Sequence, residues 1–329
     1  MSPASNSRRF LVAPDSFKGT FSAAEVAGAL AEGVREGGAT ADLCPLADGG
    51  EGTMDALVSA RGGEYFEAPA HDPLGRPIEA RFARLGGGDT AIVDVAEASG
   101  LPLLAPEERD PVVASSAGSG ELIAAAVAAG ATRILVAAGG SATTDGGAAA
   151  IEALEAAGGL DGARIEVLCD VTTPFEDAAR VFAPQKGADA ETVAELSERL
   201  EELAQRLPRD PRGLPMSGCA GGLSGGLWAA FGAELRSGAD YVLEIVGFSS
   251  RLFAADAVIS GEGRLDEQSF EGKVVGTVAE LCRQAEKELH LVVGESALDP
   301  ASYEQHGLRS VTEAQTQAQI SVAARQIRA

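Results

Sequence analysis

The sequence predicts an α/β protein of two domains, the first interrupted by the second. At both ends of the 329-residue chain, short apolar runs such as Phe10-Leu11-Val12-Ala13 and Ala257-Val258-Ile259 alternate with helical patterns, as buried parallel strands do. Between them, residues 64–68, 78–85 and 90–95 read as strands with no long helix to separate them. Hairpins through turns such as Asp72-Pro73-Leu74-Gly75 are expected there. The length favours two domains over one. We expect one domain from residues 1–63 with 250–329, a mixed-sheet domain inserted at 64–249, and ligands bound in the cleft between them.

Taken in order, residues 8–13 form a strand that Pro14 breaks. Ser22 with Glu25 three residues on makes a capping box, and Val26, Leu30 and Val34 repeat along one helix face. Gly37-Gly38 ends the helix, and residues 42–47 form the next strand. A strand–helix–strand unit of this kind has parallel strands and a right-handed crossover. The loops 15–20 and 48–53 then leave the same edge of the sheet, where α/β proteins bind ligands. Further on, 120–129 and the stretch from Ala148 are helical, and 132–138 and 165–169 are strands. Residues 189–207 form a charged amphipathic helix with a solvated face. Residues 241–246, 256–259, 290–293 and 309–311 read as the remaining strands.

Composition narrows the ligand. A formal net charge of −23 argues against nucleic acid or an anionic membrane as partner. A small molecule remains, and an anionic one needs local cations or a metal. Cys44, Cys169, Cys219 and Cys282 form no CxxC pair and suit a reduced compartment. The polar start lacks the apolar stretch of a signal peptide, and no run reaches membrane-spanning length. A soluble cytoplasmic protein is expected.

The chemistry gathers in glycine-rich loops behind strands. Asp48-Gly49-Gly50-Glu51-Gly52-Thr53 and Asp145-Gly146-Gly147 each place a carboxylate in a turn where the backbone can approach a ligand. Asp15, Asp170, Glu262 and Asp266 also lie at strand ends. Carboxylates so placed suit a cation and proton transfer, the needs of phosphoryl transfer. Ser141, Thr143 and the amides of Gly139-Gly140, ahead of a helix, form an anion cradle. Three of the four lysines, Lys18, Lys186 and Lys273, adjoin a glycine, which sets a compact ammonium beside a close backbone. No Walker A motif is present: Gly272-Lys273 lacks the upstream glycine and the following Ser or Thr. Gly222-Leu223-Ser224-Gly225-Gly226 fits the spacing of a nucleophile elbow, but no strand precedes it. His71, His290 and His306 are isolated and make no zinc site.

Together the motifs resemble the bacterial glycerate kinase family that yields 2-phosphoglycerate. The matching blocks, in chain order, include Pro14-Asp15-Ser16-Phe17-Lys18-Gly19, Ala47-Asp48-Gly49-Gly50-Glu51-Gly52-Thr53 and Gly139-Gly140-Ser141-Ala142-Thr143. Cys169-Asp170-Val171, Pro184-Gln185-Lys186-Gly187-Ala188, Ala220-Gly221-Gly222-Leu223 and Ile259-Ser260-Gly261-Glu262-Gly263-Arg264-Leu265-Asp266 continue the series. Thr144 and Thr173 stand where the family usually has Asn, Met216-Ser217 replaces a Gly-Ala pair, and Glu267 replaces a Gly.

The resemblance implies an ATP- and Mg²⁺-dependent kinase of D-glycerate or a similar hydroxy acid, a monomer or homodimer. A relative that binds a sugar acid or nucleotide without turnover is the alternative. It also implies a Rossmann-like domain of strand order 2-1-3-4-5, with Asp15, Ser16, Lys18, Glu262 and Asp266 converging at its switch point. On this reading Lys18, Lys186, Asp170 and Asp266 are catalytic, with Asp170 or Asp266 taking the hydroxyl proton. Asp48 and Asp145 are expected at the metal. Asp15, Ser16, Gly49, Gly50, Glu51, Gly139, Gly140, Ser141, Thr143, Gly261, Glu262, Gly263 and Arg264 are expected to bind substrate or phosphate.

Overall fold

The structure, a computed structural model, describes residues 7–270 and 273–327, so the expectations for residues 1–6 and Gly272 lie outside the described residues. The chain forms two compact units, Met1–Asp48 with Val242–Ala329, and Gly49–Tyr241. The first unit is discontinuous, with breaks after Asp48 and Tyr241.

The first unit opens with β1 (Arg9–Val12), α1 (Ala23–Glu36) and β2 (Thr40–Leu43). Both halves of the capping box form: Ser22 Oγ accepts from Glu25 N, and the Glu25 carboxylate accepts from Ser22 N. β2 ends before the predicted 42–47. Past Leu43 the chain still follows β1 through Cys44 N to Val12 O (2.8 Å) and Leu46 N to Pro14 O (2.9 Å), but Pro14 has no N–H to return a bond to this strand.

The second unit begins with α2 (Thr53–Arg61), then β3 (Gly63–His71), β4 (Pro77–Leu85) and β5 (Thr90–Asp94). α2 packs on these three strands, which draws residues 49–63 into this unit. Then come α3 (Ala96–Ser99), α4 (Ala117–Ala128), β6 (Arg133–Ala137), α5 (Ala148–Ala156) and β7 (Arg164–Cys169). α6 (Ala178–Phe182), α7 (Ala190–Arg206), α8 (Leu223–Phe231) and β8 (Glu234–Ser237) complete it. The sheet order is β3-β4-β5-β6-β7-β8, antiparallel through β5 and parallel beyond. The predicted hairpins and the mixed sheet are both present. α7 turns Leu196, Leu200 and Ala204 inward against Phe175, and its charged side faces solvent.

Residues 241–246 are not a strand. All but Val246 lie in α9 (Gly238–Ile245), whose Ala239, Val242 and Leu243 are buried at helical spacing, while Asp240 N donates to Ser237 Oγ at the helix start. A short apolar run carries no periodicity that separates the two states.

Back in the first unit, α10 (Phe248–Ala254) leads to β9 (Ala257–Ser260), β10 (Arg264–Leu265), α11 (Val274–Gln284) and β11 (Glu288–Val293). β12 (Glu295–Ser296), β13 (Leu308–Glu313) and α12 (Gln317–Gln326) close it. Its main sheet runs β13-β11-β9-β1-β2, all parallel, which is the order 2-1-3-4-5 in the unit's own strand count. β1 and β9 are neighbours whose following connections run to opposite sides, so the switch point lies between their carboxyl ends. Among the described residues no helix is long and apolar enough to cross a membrane.

Candidate functional site

In the first unit, the loops beyond β1, β2 and β9 line a cavity of about 590 Å³. The loop after β1 is pinned by Phe17, which is buried in the core and exchanges backbone hydrogen bonds with Phe21 (2.8 and 3.0 Å). Gly19 turns at φ 79°, so Lys18 stands out at the loop tip. Asp15 N donates to Gly261 O at 2.8 Å, which ties this loop to the one after β9. Asp15, Ser16, Lys18, Glu262 and Asp266 therefore meet around one space, together with Asp48 from beyond β2.

Carboxylates crowd that space. Lys18 Nζ pairs with Asp48 Oδ2 at 3.2 Å, with Asp48 buried and the lysine more than half exposed. Burial, and then the neighbouring Asp48 charge, push the Asp15 carboxyl up to about 8, against the pull of Lys18 and of the Ser16 N–H. Glu262 is pushed up to about 7, chiefly by burial. Its Oε1 is buried with no hydrogen-bond partner among the described residues. Asp266 Oδ1 accepts from Gln268 N at 3.0 Å, and Arg264 Nε lies 3.7 Å from Asp266 Oδ2.

The second unit holds a smaller pocket, about 90 Å³, under the loop that follows β6. Its cation is Lys186, delivered by the one-turn segment Pro184–Lys186 and only 3% exposed. Its Nζ donates to Ser141 Oγ (3.0 Å) and Thr143 O (2.5 Å). Burial brings the ammonium down to about 8, while the Asp145 and Asp170 charges pull it back up. Asp170, Gly139, Gly140 and Ser141 share the pocket. Gly139 packs so closely that a Cβ there would sit 2.3 Å from Gly50 Cα. Thr143 Oγ1 and Thr144 Oγ1 are buried without partners among the described residues.

The expected residues thus fall into two groups. Asp15, Ser16, Lys18, Asp48, Glu262, Gly263, Arg264 and Asp266 surround the first cavity, and Gly139, Gly140, Ser141, Asp170 and Lys186 the second. Gly261 closes onto β11, where a Cβ would meet Val292 O at 2.0 Å. Gly49 and Gly50 serve as close-packing backbone against Leu168 and Gly139, and Glu51 lies beside Gly140.

Asp145, expected at a metal with Asp48, lies in the other unit with both oxygens engaged. Oδ2 accepts from Ser116 N (3.0 Å) and Oγ (2.7 Å), and Oδ1 accepts from Gly147 N (3.0 Å) ahead of α5. Three donors thus surround this carboxylate. No group of three or more His, Cys, Asp or Glu among the described residues is placed to hold a metal ion. Ser224 lies in α8 and donates to Met216 O at 2.7 Å, so it is no nucleophile elbow.

One residue escaped the sequence reading. Asp94 accepts from Gly52 N (2.9 Å) and Met54 N (3.0 Å), which supplies the cap that Gly52 cannot. Its signal was an acid ending an otherwise apolar strand. Lys273, which the sequence singled out among the scarce lysines without giving it a site role, lines the first cavity.

Pockets built on buried lysine, serine and carboxylate at sheet carboxyl ends define a protein that handles small anions. The glycerate kinase family profile matches residues 10–158 and 155–327. The glycerate 2-kinase of Escherichia coli (strain K12) is 37% identical, over 92% of this chain and 89% of that protein. A glycerate kinase of Bacillus subtilis (strain 168) is 37% identical, over 91% and 88%. A solved chain from Salmonella typhimurium LT2, assigned as a glycerate kinase 2, superposes with TM-score 0.79 at 35% identity, covering 98% of this chain and 97% of that one. The chain belongs to the glycerate kinase family.

Proposed function

We propose that the protein transfers the γ-phosphoryl group of ATP to the 2-hydroxyl of D-glycerate. The observation that carries this reading is Lys186: a buried ammonium bonded to neutral oxygens, facing a pocket fit for a small acid. At about 90 Å³ that pocket is well under the roughly 300–1,000 Å³ of sites for larger ligands, whereas the 590 Å³ cavity falls inside that range. By size, the smaller pocket suits the acid and the larger cavity suits a nucleotide.

Lys186 and Ser141 hold the glycerate carboxylate, and Asp170, on the same pocket, takes the proton from the acceptor hydroxyl as its oxygen bonds to phosphorus and the diphosphate leaves. Lys18 offsets phosphate charge at the rim of the nucleotide cavity. Asp15 and Asp48 are hard oxygen donors whose mutual repulsion a cation would relieve, so they fit Mg²⁺ held by one or two carboxylates and the nucleotide's phosphates. Bound Mg²⁺ supplies neutralisation of that phosphate charge.

The test is turnover with D-glycerate, Mg²⁺ and ATP, with the product resolved by phosphorus NMR. Phosphate on the C2 oxygen is expected. Phosphate on C3, or nucleotide binding without ADP release, would overturn the reading.

A further inference from the structure

Lysine is rare in this arginine-rich chain, and three of its four lysines have partners in hand. Lys18 pairs with Asp48, Lys186 with Ser141 and the Thr143 carbonyl, and Lys287 donates to Ala255 O at 2.5 Å. Lys273 differs. It lines the 590 Å³ cavity of the first unit, and among the described residues its ammonium has no hydrogen-bond or ion-pair partner.

Its backbone position is fixed. Lys273 is the N-cap of α11, and its carbonyl accepts from Thr277 N and Oγ1, both at 3.1 Å. Val274 and Val275 are buried just behind it. Gly276 packs so closely that a Cβ there would lie 2.7 Å from Phe270 Cα. Helix stability does not account for a lysine here. An N-cap favours Ser, Thr, Asp or Asn, and this one makes no side-chain cap. An ammonium at the positive end of the helix dipole is an unfavourable pairing, which an anion beside both would reverse.

Of the other charges around the cavity, Glu262 is buried with Oε1 unpartnered among the described residues and feels the Lys273 charge, while two acids have a cation at hand. Asp48 faces Lys18, and Asp266 lies near Arg264. Resting on the reading that this cavity takes the nucleotide, we infer that Lys273 is its phosphate anchor. Lys18 and Lys273 bring two ammonium groups to one cavity, and the polyphosphate of a nucleotide can engage both.

Lys273→Gln and Lys273→Arg separate this from other roles, with thermal unfolding as the control for folding. Calorimetric titration with ADP and Mg²⁺ is expected to show affinity weakened about tenfold or more in K273Q and partly restored in K273R. The KM for D-glycerate should stay within about twofold of wild type. Unchanged ADP affinity in K273Q, or a rise confined to the glycerate KM, would overturn the inference. The two readings fail separately. Wild-type protein that binds ADP through Lys273 without phosphorylating glycerate refutes the kinase reading alone, and an active wild type with an indifferent K273Q refutes this one alone.

Discussion

Lys18 and Lys186 each serve a space at the carboxyl edge of parallel strands, yet their side chains live in different media. Lys18 is 54% exposed and pairs with a buried carboxylate, whereas Lys186 is 3% exposed and bonded to a hydroxyl and a carbonyl. An exposed, paired lysine adds little net charge and is screened by water and salt. A desolvated one bonded to neutral oxygens keeps its charge available for an incoming anion, and burial lowers its proton affinity in the same stroke. The first cavity is tuned by carboxylates and the second by the lack of water.

The contrast is broken first by Lys186→Met. Removing a preorganised cation from a desolvated pocket should cut kcat/KM for D-glycerate on the order of 10²–10³-fold. In wild type, kcat/KM should fall above about pH 8 as Lys186 loses its proton. A loss under tenfold would place the acid elsewhere.

Asp15→Asn tests the crowding in the first cavity. The folded chain keeps the Asp15 proton to about 8, while the unfolded chain gives it up in the ordinary carboxylate range. Between those pH values the unfolded state binds fewer protons, so stability falls as pH rises through the window. The asparagine variant should lose that slope and gain on the order of 2 kcal/mol at pH 8. Denaturant melts at pH 5 and pH 8 decide it, and parallel slopes for both proteins would refute the crowding.

Lys18→Met should weaken nucleotide affinity by about tenfold, less than the loss at Lys186, because the exposed ammonium is already offset by Asp48. An equal or larger effect, read by titration, would erase the distinction between the two lysines.

Asp94 makes the smallest difference. It too is held up at about 8 by burial, but its oxygens satisfy the first turn of α2. Asp94→Asn relieves the same burial but loses an acceptor, since an amide cannot accept at both ends, so in denaturant melts at pH 8 its gain should be about 1 kcal/mol smaller than that of Asp15→Asn.

Much of the parallel sheet was legible because its evidence is local. The capping box at Ser22 and Glu25, the apolar runs at β1, β9 and β11, and the crossover rule each follow from neighbouring residues. What failed depended on partners far along the chain. α9 looked like a strand until Ala239, Val242 and Leu243 had a core to face. β8 (Glu234–Ser237) carries charge in two of its four residues and is a strand because β7 pairs with it. The site divides likewise. The family motifs named the lysines and acids, but only the fold shows that Ser116 occupies Asp145 and that Lys273 faces the same cavity as Lys18.

The discontinuity of the first unit also bears on how the chain is born. β1 pairs with β9, and Arg9 bonds to Asp256, 247 residues later. At roughly 5–20 residues per second, on the order of ten seconds or more of translation separate the two. Throughout that interval the apolar Phe10-Leu11-Val12 strand lacks the neighbour on its β9 side, while the uninterrupted Gly49–Tyr241 unit emerges whole. The amino-terminal strand is then an apolar segment that waits for a partner made late in synthesis.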